Sequence, residues 1–148
     1  MTSKAQIDSF LKSDKLAIAG VSRDEKKFGF LIYKKLKEII PQIYPINPNA
    51  DLIDGSKVFK SFDELPEGIE NLFIVTKKDK TKDVISEAVK YGIKNIWIQQ
   101  MSETNEALEL ANQNSLNIIY KKCIFMYADP VNGIHKFHRF MAKLFGKY

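Results

Sequence analysis

The chain of 148 residues is the size of one domain, and it is long enough to bury a core without disulfide or metal staples. Its 45% hydrophobic and 28% charged residues exclude a disordered or fibrous protein. The net charge of +5 lies entirely in residues 121–148, which excludes a uniformly basic nucleic-acid coat and indicates a local surface for an anion or a partner.

The first half of the chain predicts two strands, each preceded by a helix. Apolar side chains at helical spacing predict a short helix at 3–11 and a second helix at 28–40, which Pro41 ends. Short apolar runs predict strands at 16–21 and 43–46, and a turn at 47–49 closes the second strand.

The second half of the chain continues this alternation of strands and helices, with three more predicted strands. Strands are predicted at 72–75, 93–98 and 116–120. Helices are predicted at 80–91, with Gly92 as its C′ cap, from Ser102 onward, and at 134–145. The last of these helices is amphipathic and basic, with apolar residues on one side.

Strands that alternate with helices in this way predict an α/β fold, a Rossmann-like doubly wound domain with a parallel five-stranded sheet and a C-terminal amphipathic helix. We expect one domain over residues 1–148, with a core at about 14–125 and a basic helical extension at about 131–146. Ligands of such sheets bind at the carboxyl ends of the strands, where the strand order reverses. The candidate loops therefore follow Gly20, Ile46, Val75, Ile98 and Tyr120.

Cysteine usage and hydropathy predict the compartment. Cys123 is the only cysteine, which excludes an internal disulfide and a multi-cysteine zinc or iron–sulfur site. The segment 1–10 is polar and does not resemble a secretory signal, and no stretch approaches 18 apolar residues. We therefore expect a cytoplasmic protein with no membrane span.

The loop after the first strand has the composition of a phosphate site. Gly20 allows a sharp turn at the strand end, and the following helix directs its free backbone N–H groups at an anion. Ser22 can donate to a phosphate oxygen, and Arg23 and Lys27 can neutralise phosphate charge. Of the three glycines in the dinucleotide fingerprint only the first is present, so a tight turn with solvated charges is the alternative.

The end of the second strand argues against NAD. An NAD site needs Asp or Glu there to hold the ribose hydroxyls, but the chain has Asn47 and Pro48, with no acid before Asp51. The prolines at 45 and 48 make a rigid rim that suits an adenine or ribose face. A stiff turn with no ligand role is the alternative.

The remaining loops add polar and aromatic groups to the same edge. Thr76 and Lys77 follow the third strand, and Trp97 and Gln99 end the fourth. A tryptophan near a strand end is more often part of the core than a ligand platform. The two lysines before Cys123 would favour a reactive thiol, although most lone cysteines are buried and inert.

The sequence predicts no catalytic or metal site. His135 and His138 share a helix face, but without cysteine or carboxylate partners a packed or exposed helix surface is the favoured interpretation. A catalytic triad order, an HExxH motif and a Walker loop are all missing from the 148 residues.

Five segments in register, 18–23, 27–29, 44–48, 97–99 and Cys123, resemble the small stand-alone CoA-binding protein family, which is similar to the CoA-binding domain of succinyl-CoA synthetase. The resemblance covers about residues 14–125. It implies a Rossmann-like fold with coenzyme A lying across the carboxyl edge of the sheet. It implies no ligase activity, because the phosphorylated histidine of the synthetase belongs to a different domain.

The resemblance also implies the ligand contacts, position by position. Phosphates would be bound near the first loop, the nucleotide would be bordered by the loop after the second strand, and the third and fourth strands would line the groove. The implied residues are Gly20, Ser22, Arg23, Lys27, Phe28, Gly29, Asn47, Pro48, Thr76, Lys77, Trp97 and Gln99.

We therefore predict non-catalytic binding of coenzyme A or an acyl-CoA. One alternative is an interaction module that uses the basic C-terminal helix against an acidic protein or another anionic surface, with nucleic acid disfavoured because few base-reading side chains accompany the cations. A second alternative is an NAD(P)-binding, oxidoreductase-like protein, against which the missing glycines and the missing ribose acid both count.

Overall fold

The structure is a computed structural model and describes residues 2–128. The predicted basic helix at 131–146, with His135 and His138, lies outside the described residues, and so does the interaction surface predicted for it. Within residues 2–128, no helix is long and apolar enough to cross a membrane.

The described chain alternates helices and strands in the predicted order. Its regular elements are α1 (Lys4–Leu11), β1 (Lys15–Ala19), α2 (Phe28–Lys37), β2 (Gln42–Ile46), β3 (Leu52–Ile53), β4 (Ser56–Lys57), β5 (Asn71–Ile74), α3 (Lys78–Tyr91), β6 (Asn95–Gln99), α4 (Asn105–Gln113) and β7 (Asn117–Lys122). Two short 3-10 turns, Phe62–Glu64 and Ile124–Met126, precede β5 and follow β7.

Five strands form one parallel sheet in the order β2-β1-β5-β6-β7. The chain therefore builds outward from β1 to β2, returns to the other side of β1 with β5, and continues in one direction to β7. This reversal makes the gap between the carboxyl ends of β1 and β5 the switch point at which such sheets bind ligands.

Successive side chains of each strand face opposite sides of the sheet, as the pleat requires. In β1, Leu16 and Ile18 face the core under α1 and α2, whereas Ala17 and Ala19 face the core under α3 and α4. All four are buried, which explains why the strand is a continuous apolar run. The prediction of a Rossmann-like, doubly wound α/β fold is confirmed.

The sequence did not predict one element, and it predicted the wrong start for another. The hairpin of β3 and β4 was not predicted, because two-residue strands are too short to show periodicity. The helix predicted from Ser102 instead begins at Asn105, so that prediction was wrong. The N-cap is Thr104, whose hydroxyl accepts from the Ala107 N–H at 3.2 Å, while the Ser102 N–H donates to the Gln99 carbonyl in a tight turn.

Gly29 brings the first turn of α2 against the end of β1. A Cβ at this position would lie 2.5 Å from the carbonyl oxygen of Gly20, which is closer than side chains approach backbone. Close helix–strand packing is the task of the third glycine in the dinucleotide fingerprint. With Gly20 as the first glycine, the fingerprint would place its third glycine at position 25, where this chain has Glu25. Gly29, four residues later, provides the close packing instead.

We predict that Gly29→Ala lowers the free energy of unfolding by about 1–3 kcal/mol, because the new methyl group overpacks a backbone contact. At an ordinary exposed helix position, glycine to alanine is stabilising by roughly 1 kcal/mol, so the sign of the change is the test. Chemical denaturation measures it, with Asn112→Ala on the exposed surface of α4 as the control. A stabilised Gly29→Ala protein would contradict the close packing.

Candidate functional site

The turns after β1 and β5 meet at the switch point, and Gly20 makes that contact possible. Its φ of +98° is a left-handed conformation that favours glycine. A Cβ there would lie 2.6 Å from the backbone nitrogen of Thr76 and from the carbonyl carbon of Val75. Only a residue without a side chain lets the two turns lie this close.

The loop from β1 to α2 is folded on itself and directs cations outward. The Ser22 hydroxyl accepts from the Asp24 N–H at 3.0 Å, and the Asp24 carboxylate accepts from the Lys26 N–H at 2.9 Å. The Ser22 hydroxyl keeps its own hydrogen for a further acceptor. Arg23, Lys26 and Lys27 are exposed on this loop together with Asp24 and Glu25, so the loop carries a small net positive charge.

The side-chain capping of helix N-termini differs between this site and the rest of the described chain. Ser3 and Thr104 cap α1 and α4 with their hydroxyl groups. Within residues 2–128, α2 and α3 have Lys27 and Lys77 at their N-cap positions, and neither lysine makes a side-chain cap hydrogen bond. Both uncapped helices begin at the carboxyl edge of the sheet, next to the switch point, where their first-turn N–H groups and positive dipole ends favour an anion.

The side chain of Asn47 connects the end of β2 to the loop after β1 by hydrogen bonds. Its Nδ2 donates to the Val21 carbonyl at 2.8 Å, and its Oδ1 accepts from the Asn49 N–H at 2.8 Å. The Asn47 side chain therefore fixes the distance between the two loops, and Pro48 stands exposed on the rim beside it.

Asp51, the first acid after β2, is already paired. Its carboxylate lies 2.9 Å from the Lys60 Nζ. The hydrogen bond from Lys60, that cation's charge and the nearby charge of Arg23 lower the pKa of the Asp51 carboxyl. Asp51 thus offsets part of the positive charge of the loop that holds Arg23.

A threonine pair supports the loop after β5. Thr81 in α3 is fully buried, and its hydroxyl lies 2.6 Å from the Ser102 carbonyl oxygen and 3.1 Å from the Thr76 hydroxyl. These contacts tie the loops after β5 and β6 together. The sequence did not indicate this role for either residue: Ser102 was predicted only as the start of a helix, and Thr81 lies on the buried face of the predicted helix at 80–91.

Two residues predicted to line the groove lie beneath it instead. Trp97 has no exposed surface; it packs against Phe10 and Phe73, and its Nε1 donates to the Lys122 carbonyl at 3.1 Å. Trp97 alternates with neighbours on the opposite face of β6, so its register directs it into the core under α1 and α2. The alternative interpretation of Trp97 as a core residue is the one that fits the structure.

Gln99 is also buried, with 1% of its surface exposed. Its Nε2 donates to the Cys123 Sγ at 3.2 Å, and its Oε1 accepts from the Ile124 N–H at 3.1 Å. Both ends of the amide are therefore used to hold the turn after β7 against β6. Cys123 is buried there as well.

The remaining carboxyl ends, those of β6 and β7, are irregular. Met101 and Lys121 adopt φ angles of +80° and +56°, left-handed conformations that non-glycine residues rarely take. The register between β6 and β7 shifts at this point, so Lys121 lies in a bulge. Met101 and Met126 are 52% and 65% exposed, and they give this end of the edge an apolar surface.

Most of the predicted site residues do lie along one edge. Phe28 is half-buried and packs on Phe125 with ring centroids 5.7 Å apart, which links the start of α2 to the turn after β7. Gly29 is buried under Gly20. The structure brings to the carboxyl edge Gly20, Ser22, Arg23, Lys27, Phe28, Gly29, Asn47, Pro48, Thr76 and Lys77.

We predict that Thr81→Val lowers the free energy of unfolding by about 1–3 kcal/mol, because the Ser102 carbonyl would lose its buried donor while the side-chain volume stays nearly constant. Thr81→Ser keeps the hydroxyl and serves as the matched control. Thermal and chemical denaturation measure both proteins. Equal stability of the valine variant and the wild type would contradict the assigned hydrogen bond.

Similar proteins include both whole ligases and small proteins. The α subunit of an ADP-forming acetate–CoA ligase II of Pyrococcus furiosus is 29% identical over 129 residues, which cover 80% of this chain and 28% of that subunit. An ADP-forming acetate–CoA ligase of Methanocaldococcus jannaschii is 33% identical over 125 residues, 79% of this chain and 18% of the ligase. The chain thus spans less than a third of these relatives.

Other matches have the size of the present chain. The protein YneT of Bacillus subtilis is 24% identical over 123 residues, covering 82% of this chain and 91% of its own. The solved structure of a conserved hypothetical protein from Pyrococcus furiosus superposes with a TM-score of 0.70 and 31% identity, over 74% of this chain and 95% of that one. Residues 14–129 match the family model described as CoA binding domain, and the chain belongs to this CoA-binding family.

Proposed function

We propose that this protein binds coenzyme A or an acyl-CoA, without catalysis, across the carboxyl edge of its sheet. The observation that carries the proposal is the pair of uncapped helix N-termini, at α2 and α3, which lie beside the Gly20 turn. Arg23, Lys26 and Lys27 lie exposed on the loop after that turn, with Asp24 and Glu25 between them. Backbone N–H groups, helix dipoles and exposed cations together favour a ligand with several phosphate charges, and coenzyme A carries a pyrophosphate and a ribose phosphate.

Family membership supports the choice of this ligand among polyanions. The relatives include ligases whose names specify CoA as a substrate, and the match to them covers the part of their chain equivalent to this domain. The shared part supports binding of CoA, whereas ligase chemistry belongs to the whole relatives. Binding and orienting the cofactor is therefore the role we propose for this domain.

The geometry of the buried groups also favours binding over catalysis. Both amide atoms of Gln99 are used in holding the turn after β7, and the Cys123 thiol is buried within that turn. A nucleophilic cysteine works from an accessible, electropositive position. Cys123 instead fills space and accepts a hydrogen bond, which stabilises the edge that the ligand would cover.

The end of β2 favours CoA over NAD(P). A ribose-binding acid would be needed there, but Asn47 stands at that position and its amide is committed to Val21 and Asn49. Asp51 is paired with Lys60. Residues 42–51, at and after β2, would therefore offer the ribose hydroxyls of a dinucleotide no unpaired carboxylate.

Isothermal titration calorimetry with CoA, acetyl-CoA, NAD and NADP tests the proposal. We expect CoA or acetyl-CoA to bind most tightly, with an affinity that falls as salt is raised, because phosphate charge contributes to binding. A failure to bind CoA at millimolar concentration would contradict the proposal, and so would tighter binding of NAD than of CoA.

We predict that the double variant Lys26→Gln/Lys27→Gln binds CoA about tenfold more weakly than the wild type, which corresponds to about 0.7 kcal/mol for each exposed cation. Lys4→Gln/Lys12→Gln removes the same charge from the exposed surface of α1 and its C-terminal cap and should bind within twofold of the wild type. Calorimetry at low salt measures both. Equal losses in the two double variants would mean that net charge, and not the loop, attracts the ligand.

We predict that Asp51→Asn binds CoA about two- to threefold more tightly at low salt, because a negative charge that offsets Arg23 is removed. The gain should vanish in 0.5 M salt, where exposed charges are screened over about 5 Å. The same variant separates the CoA hypothesis from the NAD(P) hypothesis. If Asp51 bound a ribose hydroxyl of the nucleotide, Asp51→Asn would weaken nucleotide binding. Weaker CoA binding by Asp51→Asn would contradict the proposed arrangement.

A further inference from the structure

Three neighbouring strands of the sheet begin with the same residue type. β5, β6 and β7 start at Asn71, Asn95 and Asn117, and these three residues, the asparagine row, are paired in register. Asparagine is disfavoured in strands, and the backbone N–H groups of Asn95 and Asn117 are already bonded to carbonyls of preceding segments. Neither strand propensity nor a backbone requirement therefore accounts for the row.

The side chains of the asparagine row form a ladder that leaves much of their hydrogen-bonding capacity unused. Asn117 Nδ2 donates to Asn95 Oδ1 at 2.8 Å, and Asn95 Nδ2 donates to Asn71 Oδ1 at 2.9 Å. Three carboxamides carry six N–H hydrogens, of which these bonds use two. Asn71 and Asn95 are half-buried and Asn117 is exposed, so the remaining groups are accessible to a ligand.

The asparagine row lies on the face of the sheet that α1 covers. Asn71 and Asn95 precede Phe73 and Trp97 by two residues, and side chains two apart in a strand share a face. On that face Phe10 of α1 packs against Trp97, with ring centroids 5.6 Å apart. The helix does not close on the row, because a cavity of about 260 Å³ lies between them.

This cavity is lined by apolar and neutral polar groups. Phe10, Ile96 and Ile119 supply apolar surface, and Gln6 and Ser9 of α1 face the asparagine row across the cavity. None of the residues that line it is ionisable, although charged residues make up 28% of the chain. An ionised ligand would find no counter-charge there, so the lining favours a neutral ligand over a phosphate or a carboxylate.

The chemistry of a carboxamide indicates what such a ligand carries. A carboxamide offers an N–H donor beside a C=O acceptor, and it bonds at two points to a partner that offers the same pair in reverse, such as another carboxamide or the edge of adenine. The cavity volume lies just below the range for drug-sized ligands, which suits a molecule of one or two rings. The ring of the ligand would pack on the apolar surface while its polar edge meets the row.

We propose that this cavity at the amino edge of the sheet binds a small, neutral, planar molecule with a carboxamide-like edge. The asparagine row reads the edge, and Phe10 and Ile119 contact the ring. The five residues of β6, at about 3.3 Å each, separate this site from the carboxyl edge. The inference therefore goes beyond the proposed CoA binding and does not depend on it.

An NMR titration of the full chain tests the class of ligand. The probes are benzamide and benzoate, which share a ring and differ in carrying a carboxamide or a carboxylate. We expect benzamide to shift the side-chain amide signals of the asparagine row with a Kd at or below about 5 mM, and benzoate to bind at least tenfold more weakly. Equal binding of the two probes would overturn the proposal, and so would a failure of benzamide to shift these signals.

A second pair of probes distinguishes the two sources of such an edge. Adenine has an amino group beside N7, and purine lacks that amino group. Tighter binding of adenine than of benzamide, with shifts of the same asparagine signals, would identify the ligand as a nucleobase, and the reverse order would identify it as a carboxamide. If adenine binds more tightly, purine should bind at least fivefold more weakly than adenine. Equal binding of purine would contradict recognition of the edge.

A variant of the row tests its role directly. Asn95→Leu removes the middle carboxamide and keeps a side chain of similar size, and we expect it to weaken benzamide binding at least fivefold. Asn112→Leu changes an exposed asparagine of α4, on the opposite face of the sheet, and should stay within twofold of the wild type. If Asn95→Leu does not fold, Asn117→Leu at the exposed end of the row decides by the same criterion. Unchanged benzamide binding by the folded variant would refute the role of the row.

The outcomes separate this inference from the proposed function. Asn95→Leu should bind CoA within twofold of the wild type, because the two sites lie at opposite edges. If the wild type does not bind CoA, the proposed function fails and the amino-edge site still stands. If CoA displaces benzamide, benzamide occupies the carboxyl edge, and this inference is overturned while CoA binding stands.

Discussion

The close approach of two backbone turns is the constraint on which the site depends. Gly20 lets the turn after β1 lie against the backbone of Thr76, and Gly29 lets α2 begin directly against Gly20. Both contacts leave less than 3 Å for a Cβ, so side chains are excluded from the junction. As a result, α2 and α3 both begin near this junction, although they cover opposite faces of the sheet. The positive ends of both helix dipoles therefore lie near the switch point.

At the carboxyl edge of the sheet, exposed residues supply charge and buried residues fix the shape. Exposed cations would attract the anionic ligand that we propose, but a rim of lysines has no fixed shape, because long side chains keep much of their rotamer freedom. Shape comes from buried polar groups. The Trp97 indole and the Gln99 amide join β6 to the end of β7 and the turn after it, and the Thr81 hydroxyl joins α3 to the loop after β6. This division explains why residues that carry the resemblance to CoA-binding proteins can lie beneath the groove. We expect them to hold its loops without touching the bound ligand.

Much of the fold could be predicted because its strands are buried on both faces. Segments such as β1 and β6 are short continuous apolar runs, and their alternation with amphipathic helices allows few arrangements other than a parallel sheet. The start of α4 was missed because Ser102 and Thr104 are both good N-cap residues, and the choice between them depends on a turn formed with Gln99. Local preference cannot choose between two candidates that are equally good locally.

The sequence by itself determined the α/β class, the edge at which a ligand would lie and the absence of a ribose-binding acid after β2, because periodicity, strand ends and residue identity are local properties. Only the tertiary structure decided that Trp97 and Gln99 face inward and that Gly29 supplies the close helix–strand contact. The physical reason is that burial and close packing depend on partners distant in the chain. The buried Thr81, for example, donates its hydroxyl hydrogen to a carbonyl 21 residues away.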